Sequence, residues 1–526
     1  MKLVKNMLKT LLITIGIAIM IVLVGFAIMM FFHVSLFGYT FVNHEDVTEK
    51  VFAESEVNTL NKIEIDTDKA NIIVAYTETD STGMIVKKFQ DFQGVFKDNL
   101  QRVIYVSPGF NEEEVEKLPT TDYDIKISGN TLKIRTIEPK GLYFKNDSKI
   151  TIYLPKNKVL DNLVIESASK VINIGNDKAF EVKNLEITAN KPFFPSTVQI
   201  SDKLVVKEDL KVKTNYGRIA INSDLRGNVT IDSLGGSITF NTNITGNVTI
   251  KGVNPAVEFG HFPMDLQYNK NYDYSSITRY NIGGNLIVDE CTDGGNVKVT
   301  GSISGFAYIR APYLEFWASE INQGLTCVGG FNEVRVYEKL IGATSSIESG
   351  DGSVYINHAH CKLDINSNKG TIEIANAHNN VEISNTYGDI IVNFANSEFN
   401  KTINATAQHG RIKATNIIGK ATLIANGGNV DAQFYYVFGQ NTIRAKFNAN
   451  IVVEDNRTFE FIAKAKSAKI DVVLGSVEFH NWDNATPEDG WKTVSGIVNS
   501  QGYTPGESIT VEVTDNGSIT ASIAQD

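Results

Sequence analysis

The sequence predicts an all-β chain: a two-sheet β-solenoid or β-helix with coils of 18–20 residues, preceded by one transmembrane α-helix. Three observations carry this prediction. Between residues 217 and 252 a glycine is followed four times by a polar residue and an apolar-polar-apolar triplet, as GRIAI, GNVTI, GSITF and GNVTI, with the glycines 9 or 10 residues apart. Each triplet has the period of a half-buried strand, and each glycine marks a tight corner. The same spacing recurs to about residue 455, in two interleaved sets of short strands. Finally, residues 11–32 carry no charge and span roughly 33 Å as a helix, enough for a bilayer core.

The N-terminal residues divide into a cytoplasmic stub over 1–9, the transmembrane helix over 10–33 and a linker over 34–56. Lys2, Lys5 and Lys9 precede the span, and His44, Glu45, Asp46 and Glu49 follow it. That asymmetry places the N-terminus in the cytoplasm and the bulk of the chain outside. A cleavable signal peptide also starts basic and continues apolar, but residues 25–27 are followed by more apolar sequence rather than by polar mature chain. The sequence therefore favours an uncleaved anchor in the cell membrane.

Residues 57–165 form an N-terminal β region. Its rhythm breaks over 79–121, where Phe89, Phe92 and Phe96 stand at near-helical spacing and an acidic run occupies 111–116. The expectation is an insertion holding a short helix or long hairpin, closed by a solvated acidic loop. Next, Ser128, Gly129 and Asn130 separate two alternating segments, a hairpin signal.

The segment KITIYLP from Lys149, followed by LDNLVIES from Leu160, is similar to the bacterial putative adhesin family. The resemblance extends from about Val57 to the C-terminus. It implies a β-strand-repeat domain behind a membrane anchor and supplies no catalytic residues.

The solenoid proper is expected over 166–455, with coils of 19 residues in its clearest part and two strands per coil. One set of strands starts at Leu314, Val334, Val354, Ile372 and Ile390, the other at Leu325, Leu363, Val381 and Ala421. A loop excursion over 253–282 carries His261, Phe262, Tyr268, Tyr272, Tyr274 and Tyr280. Excursions of this kind sit on one face and present groups to a ligand, here a surface glycan or a protein, although the rings could equally cover the coil beneath. Residues 456–526 supply C-terminal coils and a cap, with a loop over 481–491 and the last coil formed by strands at Ile509 and Gly517.

Composition excludes more than it assigns. The chain holds 60 Asp+Glu against 49 Lys+Arg, with its basic residues dispersed, which argues against a nucleic-acid partner. Three cysteines, Cys291, Cys327 and Cys361, cannot complete a disulfide framework and read as interior or corner thiols. For metal, His358, His360, Cys361 and His378 form the best group. His360 and His378 are 18 residues apart, which stacks their imidazoles about 5 Å apart at one corner. Such a pair could ligate zinc, but with Asn396 it also reads as a plain polar ladder, so no metal or other cofactor is assigned.

Asp351, Asp364 and Asp389 are candidates for a polysaccharide hydrolase or lyase, yet they stand singly where such chemistry needs converging carboxylates. A non-catalytic binding or structural surface module is the preferred function. Envelope-stress sensing or assembly with a membrane partner is the third reading. Asn228 and Asn247 open glycosylation-type triplets, but their repetition marks them as corner residues.

Overall fold

The structure is a computed structural model that describes residues 2–32, 39–67, 71–77, 81–97, 122–137, 141–146, 149–156, 158–167, 172–174, 180–189, 196–215, 217–263, 276–395, 400–454, 457–466, 469–474, 477–482, 490–499 and 506–524. It divides into two compact units, Met1–Lys207 and Glu208–Asp526, so the expected boundary near residue 165 lies inside the first of them.

The first unit opens with the α-helix Lys2–Phe32, within which Thr10–Ile28 is long and apolar enough to cross a membrane. Strand Tyr39–Phe52 follows, which replaces the expected linker, and it pairs antiparallel with Met84–Lys97 along its full length. Phe89, Phe92 and Phe96 therefore lie on a strand opposite Val47, His44 and Thr40, and the helical reading of their spacing is corrected. Cross-strand pairing along fourteen residues fixes this ribbon as extended chain, and that outweighs a local three-to-four periodicity. The acidic run at 111–116 lies outside the described residues.

Most of the rest of the first unit lies in two sheets. In one, Met84–Lys97 pairs antiparallel with Lys149–Leu154, which runs parallel to Asn71–Tyr76. In the other, Lys62–Thr67 lies between Thr131–Ile137 and Leu160–Ser167, and Phe180–Ala189 continues the ladder. Ile63, Ile65, Ile72, Val74, Ile150 and Ile152 are buried at alternate positions. The hairpin Asp122–Ser128 to Thr131–Ile137 closes as expected through a two-residue turn, with Gly129 at φ 61°. That left-handed conformation is open to glycine at no steric cost.

The second unit is a β-solenoid whose coils contribute one strand to each of two parallel ladders. Ile219 pairs with Ile238, and Val229 with Val248, both 19 residues on, as the repeat requires. Apolar residues of each triplet point inward, and Phe240 and Phe259 stack in the core with ring centroids 4.8 Å apart. At the corners the coils approach so closely that a Cβ on Gly227 would sit 1.2 Å from the Glu208 carbonyl oxygen. Only glycine fits there.

Polar corner residues form ladders of their own. The Asn247 side-chain amide donates to Asn228 Oδ1 at 3.2 Å, and Asn247 Oδ1 accepts the Asn285 backbone N–H at 2.8 Å. These amides replace backbone pairing lost at the turn.

Both strand sets read from the sequence fall on the expected ladders. The excursion after Gly252 leaves them continuous: Val248 pairs with Leu286, a step of 38 residues, so this coil is twice the usual length. The two-sheet description needs one addition. From Gly295–Ile303 onward, strands of the second ladder, the one that holds Ile219 and Ile238, carry register shifts, as between Val336 and Lys339 and between Ile374 and Ala377. Beyond each shift one or two residues pair again, as Leu340 with Ala359 and Ala377 with Phe394, and form a short third side. A bulge of this kind bends the strand and re-aims the residues that follow it.

The C-terminal end also differs from expectation. Ser508–Val513 and Ser518–Ile523 are not the outermost coil. They insert between the coil of Gln440–Ala445 and Asn448–Val453 and that of Phe459–Lys466 and Lys469–Val473. Phe459–Lys466 is then covered by the antiparallel strand Trp491–Val498, which also pairs with Val477–Trp482. An open parallel edge would template association, and an antiparallel cover occupies it.

Candidate functional site

The strands Ser353–Ala359 and Ile372–Ala377 lie one coil apart in the second ladder. Val354, Ile356 and Ala359 are buried, as are Ile372, Ile374 and Ala377. Asn357 lies opposite the bulge between Val336 and Lys339 of the preceding strand, and His358, just beyond it, pairs with Lys339 on one side and Asn376 on the other. The Asn357 side-chain amide donates to the Tyr337 carbonyl of the coil before it at 2.9 Å, and the Asn376 amide does the same to Asn357 at 3.3 Å. Asn393 continues the column by donating to Ala375. With these amides holding the bulge, His358 and His360 fall on one outer side of Ala359, and His378 joins them from the next coil.

The three imidazoles form one cluster. His360 and His378 stack with centroids 4.0 Å apart and planes at 11°, close to the expected rung spacing. His358 Nδ1 lies 3.3 Å from His378 Nε2 while the two ring centroids are 5.6 Å apart, so these rings meet edge to edge through their nitrogens. One potential ligand atom from each of the three lies within 4.8 Å of the others. His358 and His378 are half-buried and His360 is exposed.

His358 is held below the usual histidine range, first by burial and then by the neighbouring His360 and Lys339. It is therefore a neutral donor at neutral pH. Cys361 does not join the cluster. Its thiol points inward, is fully buried and donates to Ser345 Oγ at 3.1 Å. Adjacent residues on extended chain face opposite sides, which separates this thiol from His360. All three cysteines are free and buried, and burial pushes the Cys291 thiol up to about 11.

The aromatic residues of the excursion divide. Tyr268, Tyr272 and Tyr274 lie outside the described residues. Phe262 is 5% exposed and packs edge-on against Trp317 at 5.9 Å and beside Tyr337 at 5.4 Å, with Ile277 completing the cluster. It therefore covers the coil surface and is not an accessible contact. His261 is exposed, 3.8 Å from Glu258, and Tyr280 is half-buried.

Two features beneath the excursion escaped sequence reading. Lys298 Nζ lies 4.1 Å from the centre of the Trp317 ring, and Trp317 Nε1 donates to Glu333 at 2.9 Å. Arg279 grips Glu338 with both terminal nitrogens, at 2.8 and 2.5 Å. The signal available in sequence was an aromatic residue on the outward register of two successive second-ladder strands, Trp317 and Tyr337.

The carboxylates considered for hydrolysis do not converge. Asp351 pairs with Lys369 and Asn368, and Asp389 with Arg411. Asp364 lies on the exposed face of Lys362–Ser367, in register with Ser346 and Glu382. Asp351 is held below the usual carboxylate range by its hydrogen bonds from Lys369 and Asn368.

No family model and no curated protein matches this chain. A solved structure of a putative cell adhesion protein from Clostridium sporogenes is similar over 91% of this chain and 100% of that one, at 9% identity and a TM-score of 0.13. A likeness at that score carries no argument about fold or function.

Proposed function

We propose that this chain is a single-pass membrane protein whose extracytoplasmic β-solenoid acts as a non-catalytic binding or structural surface module, with adhesion to a surface glycan or protein as its specific form. The observation that carries the reading is the helical segment Thr10–Ile28, which is apolar, uncharged and unburied, ahead of a body rich in parallel β-strand coils. A helix that is apolar all round and not buried in the protein has lipid as its natural solvent. Lysines before it and carboxylates after it set the orientation.

The outer surface suits contact better than hydrolysis. Tyr313 and Tyr387 are 62% and 58% exposed, and Tyr387 stacks flat on His409 at 4.7 Å. Flat exposed rings of this kind offer stacking surface to a sugar or a protein side chain. A glycosidase acid needs a raised pKa, whereas Asp351 is shifted the other way.

The test uses the full-length chain in right-side-out vesicles. External protease should remove the β body and leave the N-terminal segment protected, and a glycan and surface-protein panel should give saturable binding without product. Protection of the body from external protease overturns the topology, and new reducing ends or unsaturated sugars overturn the non-catalytic reading.

A further inference from the structure

We infer that His358, His360 and His378 form a binding site for one divalent transition-metal ion of the zinc class. The inference does not rest on the membrane or adhesion reading. It starts from the pair His358 Nδ1 and His378 Nε2, 3.3 Å apart. Two nitrogens each about 2.0–2.1 Å from a tetrahedral zinc are separated by about 3.3 Å, so this pair already has the bite of the ion. Without a cation, the same gap is filled by one shared hydrogen.

His360 supplies the third ligand. Its ring now lies flat against His378, and two rings at 11° cannot aim their lone pairs at one point. His360 is the exposed member, at the corner, and its ligand atom is within 4.8 Å of the other two. Rotation about its Cβ–Cγ bond brings the nitrogen in, and water or an incoming ligand group takes the fourth position. Three imidazoles with an open position suit zinc, nickel or copper(II).

The surroundings support the pair and oppose the charge. Asn357 donates to the coil before it and accepts from Asn376 of the coil after it, which ties the backbone beside His358 to both neighbouring coils. Lys339 pairs in register with His358 and repels a cation. That repulsion gives a signature a structural polar ladder would lack: removing Lys339 should tighten metal binding.

The test is zinc titration of the metal-stripped full-length chain in detergent, with bound zinc counted by elemental analysis. One equivalent per chain is expected. His358→Ala, His360→Ala and His378→Ala should each weaken binding about tenfold or more. Lys339→Ala should strengthen it severalfold. His378→Asn keeps a polar ladder residue while deleting the ligand, so loss of zinc with an unchanged thermal midpoint cannot be ascribed to misfolding. Cobalt(II) added to the unmutated chain should give the intense visible bands of a tetrahedral centre. The proposal is overturned by the absence of those bands, by no saturable zinc, or by equal zinc stoichiometry in the triple His→Ala variant.

Discussion

The coils at 217–252 and those at 353–378 obey one rule and put it to different use. In both, successive second-ladder strands pair one coil on, 19 residues apart for Ile219 and Ile238 and 18 for Val354 and Ile372. In both, alternate apolar residues fill the core. The corners differ. At 217–252 the asparagines spend their amides on the turn itself, Asn247 bridging Asn228 and the Asn285 backbone. At 353–378 the bulge asparagines take the structural task, and three histidines face outward beside them. A bulge thus separates holding the coil from presenting a side chain.

The comparison can be broken first at the core. Phe240→Ala in the regular coils should cost about 3–5 kcal/mol, and Ile356→Ala in the bulged coils about 2–5 kcal/mol, both read as lowered urea midpoints. A loss below about 1 kcal/mol at Ile356 would make the bulged coils a loose surface and end the equivalence.

Corner amides come next. Asn247→Ala should cost about 1 kcal/mol by leaving the Asn285 N–H without its acceptor. Asn357→Ala should cost a similar amount and also displace His358, seen as changed imidazole resonances of His358 and His378. Unmoved resonances would show that the bulge is held by its core residues alone.

Acidification should then act on the two regions unequally. The folded state holds His358 below its ordinary value of 6.5, so the unfolded chain binds more protons as the pH drops through that value. The His358 contribution is fully present above about pH 6.5 and is lost as pH falls below it. Urea unfolding at pH 7.5 and 5.5 should show a smaller decrease in His358→Asn than in the unmutated chain. An identical decrease would remove His358 as a contributor.

The smallest effect belongs to exposed ion pairs. Lys369→Ala beside Asp351, and Arg226→Ala beside Asp224, should each leave the urea midpoint essentially unchanged, because solvent screens both partners. A larger loss at Lys369 alone would mark Asp351 as part of a site.

Much of the fold was legible because its signals are local and repeated. The glycine spacing around Gly227, the alternation in Val229 and Ile231 and the Gly129 turn each report on a few neighbouring residues, and repetition removes the ambiguity of any one. Non-local pairing was not legible. Nothing near Phe89 says that Met84–Lys97 will lie against Tyr39–Phe52, and nothing near Ile509 says that its strand will insert beside Gln440–Ala445. The candidate site was half legible. The 18-residue spacing stacked His360 on His378 correctly, but His358 needed the bulge, and Cys361 needed the direction of its side chain.

The sequence by itself determined the coil: its length, its two strands, its glycine corners and the apolar helix ahead of it. These follow from periodicity and from steric limits that act within one turn of chain. Only the tertiary structure decided which coils bulge, how the C-terminal edge is covered and which side chains meet outside the core. Those outcomes depend on the register between segments up to dozens of residues apart, which cross-strand hydrogen bonds and packing fix together.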